Sequence, residues 1–159
     1  MKLGLIGKTL SHSFSKSYFE NKFKEENLAN HSYDLFELET IEEFPELIRN
    51  NPYLVGLNVT IPYKESIIPF LDELDETAKE IGAVNTIKIT KGNGKTILKG
   101  YNTDAKGFGL SIKPFLKNTH ERALILGTGG ASKAVGYVLK NLGITTLFVS
   151  RNENEINYK

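Results

Sequence analysis

The sequence predicts an α/β fold in which an N-terminal, mostly parallel sheet with one antiparallel strand is flanked by helices and followed by a partial βαβ unit. Three observations predict it. Short apolar runs of strand length alternate with segments whose apolar residues recur at helical spacing. A Gly-Asn-Gly turn between two β-rich runs indicates a hairpin, and therefore one antiparallel strand. Near the end of the chain, an apolar run, a glycine cluster, a helical segment and a second apolar run follow one another in βαβ order.

Strands and helices alternate in the first part of the chain. Strands are expected at residues 3–7, 33–38 and 54–59, and helices at residues 16–26, 41–50, 65–74 and 76–81. Ser15 is expected to cap the first of these helices. Pro69 should shorten or kink the helix at 65–74, and Gly82 should stop the one that follows it. Residues 86–90 and 96–99 form the predicted hairpin, with Asn93 and Gly94 at its tip.

A second part begins at the helix expected from residue 104 to about residue 116, which Pro114 should break early. A strand at 123–126, a helix at 131–142 and a strand at 145–149 follow. One such unit cannot cover both faces of its own sheet, so we interpret it as part of an incomplete Rossmann-like domain. The predicted domains are therefore residues 1–103 and 104–159.

Composition excludes several classes of function. The 159 residues carry 20 basic and 19 acidic side chains, so no global field attracts nucleic acid or an anionic membrane. There is no cysteine, which excludes disulfides and thiolate chemistry, and no apolar run has the length of a membrane span. No histidine and carboxylate spacing indicates a metal site. We expect a cytoplasmic protein that binds neither nucleic acid nor membrane.

The glycine cluster is typical of a loop that binds a dinucleotide phosphate. Its glycines allow a close approach to the backbone, and the next helix directs its N-terminal amides at the phosphate. The residues concerned are Gly127, Thr128, Gly129, Gly130 and Ala131. After the next strand come Ser150, Arg151 and Asn152, and an arginine at this place favours the 2′-phosphate of NADP. Glu153 and Glu155 would weaken that contact, and a solvent-facing arginine is the alternative.

Two ionisable residues, Lys64 and Asp104, each follow a predicted strand within a short polar motif, and such a pair can move a proton. Taken alone, Lys64 is more typical of a surface lysine and Asp104 of a helix N-cap. Ser13 and Ser15 suit a ligand carboxylate, and the alternative is that one of them only caps the helix. Asn85 adds another hydrogen-bonding group of this kind.

Five ordered motifs resemble those of the shikimate dehydrogenase family, and the resemblance as a whole extends from Leu3 to about Asn152. They are His12-Ser13-Phe14-Ser15, Asn58-Val59-Thr60-Ile61-Pro62-Tyr63-Lys64, Gly82-Ala83-Val84-Asn85-Thr86, Asn102-Thr103-Asp104 and Gly127-Thr128-Gly129-Gly130-Ala131-Ser132. The resemblance implies an NADP-dependent oxidoreductase that reduces 3-dehydroshikimate to shikimate, on the route to chorismate and aromatic amino acids.

The resemblance also implies roles for single residues. Ser13 and Ser15 would bind the substrate carboxylate, Thr60 and Asn85 the ring hydroxyls, and Lys64 with Asp104 would form the catalytic pair. Asn58 would shape the site. The chain departs from the family where Ser150 replaces an asparagine and Glu155 a basic residue, which leaves NADP selectivity to Arg151.

Family members continue beyond the equivalent of Lys159, so we expect a truncated chain whose half-built domain exposes apolar surface and favours self-association. Two alternatives stay open at this point. One is a quinate/shikimate dehydrogenase with relaxed cofactor use, and the other is a fragment that binds shikimate without turnover.

Overall fold

The chain folds into two compact units in a computed structural model, which describes residues 1–92 and 94–150 and the strand Ile156–Asn157. The first unit comprises Met1–Asp75 with Val84–Tyr101. The second comprises Glu76–Ala83 with Asn102–Lys159. The assignment of residues 1–103 to shikimate binding and of residues 104–159 to NADP binding stays a prediction.

A six-stranded sheet forms the centre of the first unit. Its strands are β1 (Lys2–Gly7), β2 (Ser32–Glu37), β3 (Leu54–Val59), β4 (Glu73–Leu74), β5 (Thr86–Gly92) and β6 (Lys95–Tyr101). They are arranged in the order β2-β1-β3-β5-β6-β4, and β5 is antiparallel to both of its neighbours while the other pairings are parallel. The predicted mostly parallel sheet with one antiparallel strand is confirmed.

Three short helices belong to the same unit: α1 (Ser15–Glu25), α2 (Phe44–Asn50) and α3 (Tyr63–Ser66). A 3-10 turn at Ile41–Glu43 leads into α2. The expectation that Ser15 caps α1 is wrong, because Phe14 occupies the N-cap without a side-chain hydrogen bond and Ser15 is the first helical residue. Phe23 of α1 packs with Leu5, Leu10 and Tyr33 in one buried cluster.

The helix predicted at residues 65–74 does not form. A 3-10 turn, Ile68–Phe70, follows α3, and the chain then becomes extended as β4. Pro69 lies inside that turn, where it removes a backbone donor that a continuing helix would need. The two residues of β4 pair instead with β6: Glu73 lies opposite Lys99, and Leu74 lies opposite Gly100. Of the two predicted effects of Pro69, a shorter or a kinked helix, the structure shows the first, because α3 ends at Ser66.

The second unit contains the predicted βαβ arrangement. Its elements are α4 (Glu76–Ile81), α5 (Thr103–Ile112), β7 (Arg122–Leu126), α6 (Gly130–Asn141), β8 (Thr145–Ser150) and β9 (Ile156–Asn157). The three strands pair in parallel in the order β7-β8-β9. The helix expected to reach residue 116 ends at Ile112, and Pro114 lies in the 3-10 turn Lys113–Phe115 that follows. β9 was not predicted.

Small residues let the helices of the second unit approach closely. Ala105 of α5 and Ala134 of α6 are buried together with Ile81 and Ala83. On the sheet side of α6, a Cβ at Gly136 would lie 2.5 Å from the ring of Phe148, which a packed interior does not allow. Within the described part of the chain, no helix is long and apolar enough to span a membrane.

Candidate active site

The polar motifs of the first unit lie at one edge of its sheet. Ser13 and Ser15 follow β1, and Thr60 and Lys64 follow β3. Asn85 lies just before β5, and because β5 runs antiparallel, its amino end shares the edge formed by the carboxyl ends of β1 and β3. This edge therefore combines Asn85, which precedes the antiparallel strand β5, with residues that follow the parallel strands β1 and β3.

Backbone hydrogen bonds hold these segments together. The Thr60 N–H donates to the Ile6 carbonyl at 2.9 Å, and the Val59 N–H to the Asn85 carbonyl at 2.8 Å. The Val84 N–H donates to the Lys64 carbonyl at 2.7 Å. The structure thus brings Thr60, Lys64 and Asn85 to one edge, as their predicted roles in one site require.

Lys64 is the second residue of α3, and its neighbour Tyr63 anchors that helix. The Tyr63 ring is buried and its hydroxyl donates to the Leu38 carbonyl. Burial, followed by the nearby Glu43 and Glu39 carboxylates, raises the Tyr63 pKa above its ordinary value. The Lys64 side chain is half-buried. A lysine set on an anchored turn meets the positional requirement of a proton donor.

Five polar side chains of this unit form a directed series of hydrogen bonds, which we name the Tyr33 chain: Ser15, Tyr33, Asn58, Thr86 and Asn85. The Tyr33 hydroxyl donates to Asn58 Oδ1 at 2.8 Å. Asn58 Nδ2 donates to Thr86 Oγ1 at 3.3 Å, and Thr86 Oγ1 donates to Asn85 Oδ1 at 3.1 Å. Tyr33 also hydrogen-bonds the Ser15 side chain.

The first bond of the Tyr33 chain has a defined direction. A tyrosine has one hydroxyl proton, and Tyr33 gives it to Asn58, so its oxygen accepts from Ser15. Burial raises the pKa of Tyr33 to about 12, and the hydrogen bond with Ser15 opposes part of that rise. The phenol is therefore a neutral donor at physiological pH.

Tyr33 is held in place by packing as well as by hydrogen bonds. It is 2% exposed, and its ring stacks on Phe19 of α1 with centroids 4.5 Å apart. Tyr33, Asn58 and Thr86 line a cavity of about 210 Å³ whose other walls are mostly apolar. Hydrogen bonds in such surroundings are electrostatically stronger than in water.

The two serines after β1 have different surroundings. Ser13 Oγ accepts from the Ser15 N–H at 3.2 Å, which satisfies one donor at the start of α1. The alternative that one of the serines serves the helix terminus therefore applies to Ser13. Ser15 instead joins the Tyr33 chain through its hydroxyl.

Asp104 belongs to the second unit, in the first turn of α5. The alternative that it caps this helix is wrong, because Asn102 occupies the N-cap and its Oδ1 accepts from the Ala105 N–H at 3.2 Å. Asn102 is 5% exposed, and its Nδ2 donates to the Ala83 carbonyl at 2.9 Å. Asp104 is half-buried, and its carboxylate is not needed for capping.

The predicted phosphate loop joins β7 to α6. Gly127 has a φ of +116°, a conformation that favours glycine, and its N–H donates to the Val149 carbonyl at 2.8 Å. Gly129 is the N-cap of α6 and provides no side-chain cap. The first amides of an α-helix have no partner within the helix, and no side chain at the N-cap blocks them here. The loop fits a phosphate.

Some of the other residues predicted to bind the cofactor belong to the described part of the chain, and two do not. Thr128 and Gly130 are half-buried within the loop, and Ala131 is exposed in the first turn of α6. Ser150 is buried at the end of β8. Arg151 and Asn152 lie outside the described residues. Across residues 1–92 and 94–150, no group of three or more histidines and carboxylates is placed to hold a metal ion.

Sequence reasoning missed three residues that position this site. Tyr33 was read only as a strand residue, and Thr86 and Asn102 only as parts of motifs. An asparagine just before a helical segment is an N-cap signal, which points to Asn102. The contacts of Tyr33 and Thr86 join positions far apart in the chain, so local patterns carry no signal for them.

Comparison with known proteins bears on the same residues. Residues 5–87 match the family model described as the shikimate dehydrogenase substrate binding domain. A curated NADP⁺ shikimate dehydrogenase of Methanosphaera stadtmanae is 42% identical over 154 residues, which are 96% of this chain and 52% of that protein. One of Oceanobacillus iheyensis is 40% identical, over 94% of this chain and 55% of that protein. The chain thus spans about half the length of these relatives.

Solved structures show the same similarity in three dimensions. Shikimate dehydrogenase 1 of Peptoclostridium difficile superposes with a TM-score of 0.83 at 36% identity, over 96% of this chain and 56% of that one. The Thermus thermophilus enzyme, solved in complex with NADP(H) and shikimate, superposes with a TM-score of 0.81 at 29% identity, over 97% of this chain and 57% of that one.

Proposed function

Because the chain belongs to the family of the shikimate dehydrogenase substrate binding domain, we propose that it forms the substrate-binding part of an enzyme that reduces 3-dehydroshikimate to shikimate with NADPH. It spans about half the length of the curated relatives it matches, so the activity is proposed for the whole protein.

The observation that carries the proposal is the Tyr33 chain. It connects Ser15, predicted to bind a carboxylate, with Asn85, predicted to bind a ring hydroxyl, inside one unit. Shikimate carries a carboxylate at one end of its ring and hydroxyls at the other. A site built from serine hydroxyls at one end and amide groups at the other suits such a ligand.

Each proposed residue has a defined chemical role. Ser13 and Ser15 bind the carboxylate, and Thr60 and Asn85 bind ring hydroxyls. Bound NADPH supplies the hydride that reduces the C3 carbonyl. Lys64 gives its ammonium proton to the C3 oxygen as the carbonyl becomes an alcohol, and it takes that proton back in the reverse direction. Asp104 orients the substrate, and its pairing with Lys64 stays a prediction.

The cofactor assignment is supported by the open loop before α6. Gly127, Thr128, Gly129, Gly130 and Ala131 would hold the diphosphate against the helix N-terminus. Ser150, Arg151 and Asn152 would contact the 2′-phosphate. NADP is proposed as the cofactor because the relatives are NADP⁺ enzymes and one neighbouring structure contains NADP(H).

Calorimetry on the 159-residue chain tests the proposal. We expect shikimate to bind with 1:1 stoichiometry, and we expect Ser15→Ala to weaken that binding. Glycerol at equal concentration serves as a hydroxylated compound without a carboxylate. Absence of shikimate binding to the unchanged chain, under conditions in which the chain is folded by circular dichroism, would contradict the proposal.

A second candidate, a shikimate-binding module without turnover, is favoured by one observation: the described sheet of the second unit has three strands. A three-stranded sheet offers little surface on which to hold a dinucleotide. NADPH titration separates the two candidates, since measurable affinity excludes the module. Titration with quinate separates a quinate/shikimate dehydrogenase from an enzyme restricted to shikimate.

A further inference from the structure

The direction of the Tyr33 chain has a consequence for Asn85. Ser15, Tyr33, Asn58 and Thr86 each donate to the next member, so every bond polarises the one that follows. The last bond ends on Asn85 Oδ1. The amide of Asn85 is thereby oriented with its oxygen towards Thr86 and its Nδ2 donor group on the other side.

Asn58 is held by partners at both ends of its amide. The amide could present either the oxygen or the NH₂ group to a neighbour, because the two ends have the same shape. The Tyr33 hydroxyl donates to Oδ1, and Thr86 Oγ1 and the Asn85 carbonyl accept from Nδ2, so both ends select the same orientation. The phenol therefore reinforces the orientation of two amides, its direct partner and, through Thr86, that of Asn85.

We propose that Tyr33 is a positioning residue for the ring-hydroxyl end of the shikimate site, which it acts on through Asn58, Thr86 and Asn85. The inference rests on the proposed function and adds a residue that lies in the core of the first unit. The stacked ring of Phe19 and the surrounding burial hold the phenol rigidly, as such a role requires.

Tyr33→Phe tests the inference, because it keeps the stacked ring and removes only the hydroxyl. We expect shikimate affinity to fall by about threefold to tenfold, the range that one net hydrogen bond represents. Tyr137→Phe is the matched control: it also removes the hydroxyl of a partly buried tyrosine, one that packs against the buried cluster of Ile81, Ala83, Ala105 and Ala134. It should leave the shikimate dissociation constant within about twofold.

A spectroscopic measurement keeps this test independent of the proposed function. In the unliganded chain, the side-chain NH₂ signals of Asn58 and Asn85 should both shift on Tyr33→Phe and stay in place on Tyr137→Phe. Should Tyr33→Phe fail to fold, Thr86→Val breaks the same series one bond from Asn85. Failure of the unchanged chain to bind shikimate rejects the function and leaves the amide signals to decide the inference. An unmoved Asn85 signal, or unchanged shikimate affinity in a binding-competent Tyr33→Phe chain, overturns it.

Discussion

Lys64, the proposed proton donor, lies at a position that the backbone determines. Its carbonyl accepts from the Val84 N–H, and the helix that carries it is anchored by the buried ring of Tyr63. We expect Lys64→Met, which keeps the length of the side chain, to lower kcat for shikimate-dependent NADP⁺ reduction by about 100-fold or more, because the proton donor is lost. The measurement is the initial rate of NADPH formation by the whole enzyme. Lys88→Met, at an exposed lysine of β5, is the matched control and should keep the full rate.

Tyr33 makes stability depend on pH in the alkaline range. Its pKa is about 12 in the folded chain against an ordinary 10.0, so the folded state holds the proton more tightly than the unfolded state. The stabilisation is complete below pH 10 and is lost as pH rises towards 12. Relative to Tyr33→Phe, the unchanged chain should lose about 1 kcal/mol of unfolding free energy between about pH 8 and about pH 11. Urea titrations at both pH values measure it, and a constant difference between the two chains would contradict the shifted pKa.

Residue types and motifs led to the predicted site residues, but they did not predict how those side chains are held. Ser15 was expected as a helix cap or a ligand group, and the structure places it at the start of α1 in a hydrogen-bonded series with a tyrosine of strand β2. The Tyr33 and Asn58 side chains meet across 25 positions of the sequence. Sequence spacing describes neighbours on one helix or strand, and this contact depends on strand order, which local patterns do not encode.

At the scale of elements, the glycine N-cap of α6 allows the proposed phosphate binding to be tested separately from the stability of the helix. A carboxylate at the N-cap stabilises a helix and repels an anion at the same place. We expect Gly129→Asp to weaken NADPH binding by at least about tenfold while keeping or raising thermal stability. The neutral Gly129→Asn caps equally well and is the matched control. Equal NADPH affinity in the two variants would show that phosphate does not bind there.

Helix α5 depends on Asn102, which makes two hydrogen bonds at its start. Asn102→Ala removes the cap of the Ala105 N–H and leaves the Ala83 carbonyl without this donor. The expected loss is about 2 kcal/mol of unfolding free energy, from a cap and a buried acceptor together. Asn102→Asp keeps the capping oxygen and loses the donor, so its free energy of unfolding should lie between those of the unchanged chain and of Asn102→Ala. Equal stability of all three chains in denaturant titration would rule out the capping role.

Element prediction succeeded where one signal dominated. Residues 54–59 were predicted as a strand and form β3 with the same bounds, because a buried apolar run ends there before Pro62. The prediction failed at residues 65–74, where helical spacing competed with Pro69 and with a pairing partner, Lys99 and Gly100, that lies far along the chain. Tertiary pairing decided this segment, and no local pattern reports it.

At the scale of the whole molecule, apolar side chains of the second unit are exposed. Leu124 and Leu126 of β7 are 60% and 65% exposed, and they belong to a groove of about 370 Å³ lined mainly by apolar residues. We expect the 159-residue chain to self-associate, with a sedimentation coefficient that rises with concentration. Leu124→Glu with Leu126→Glu should abolish the rise, and Tyr53→Glu, at an exposed residue of the first unit, should not. A concentration-independent coefficient for the unchanged chain would contradict this expectation.

The fold class was predictable, whereas the order of the strands was not. Periodicity and turn signals indicated a mostly parallel sheet and one reversed strand, and the structure confirms both. The position of β4 beside β6 and the addition of β9 beside β8 depend on pairs of two residues each, which are too short to produce a pattern. The boundary between domains at residues 103 and 104 stays a prediction.

The reversed strand β5 also offers a place for engineering. It starts beside Asn85 and extends seven residues away from it, so its turn with β6 lies about 20 Å from the polar edge of the sheet. A Cβ at Gly92 or Gly94 would meet nothing within 4 Å. A reporter peptide or surface tether inserted between these strands would extend into open space. The hairpin is therefore a suitable point at which to attach the protein to a sensor chip while the polar edge of the sheet stays accessible.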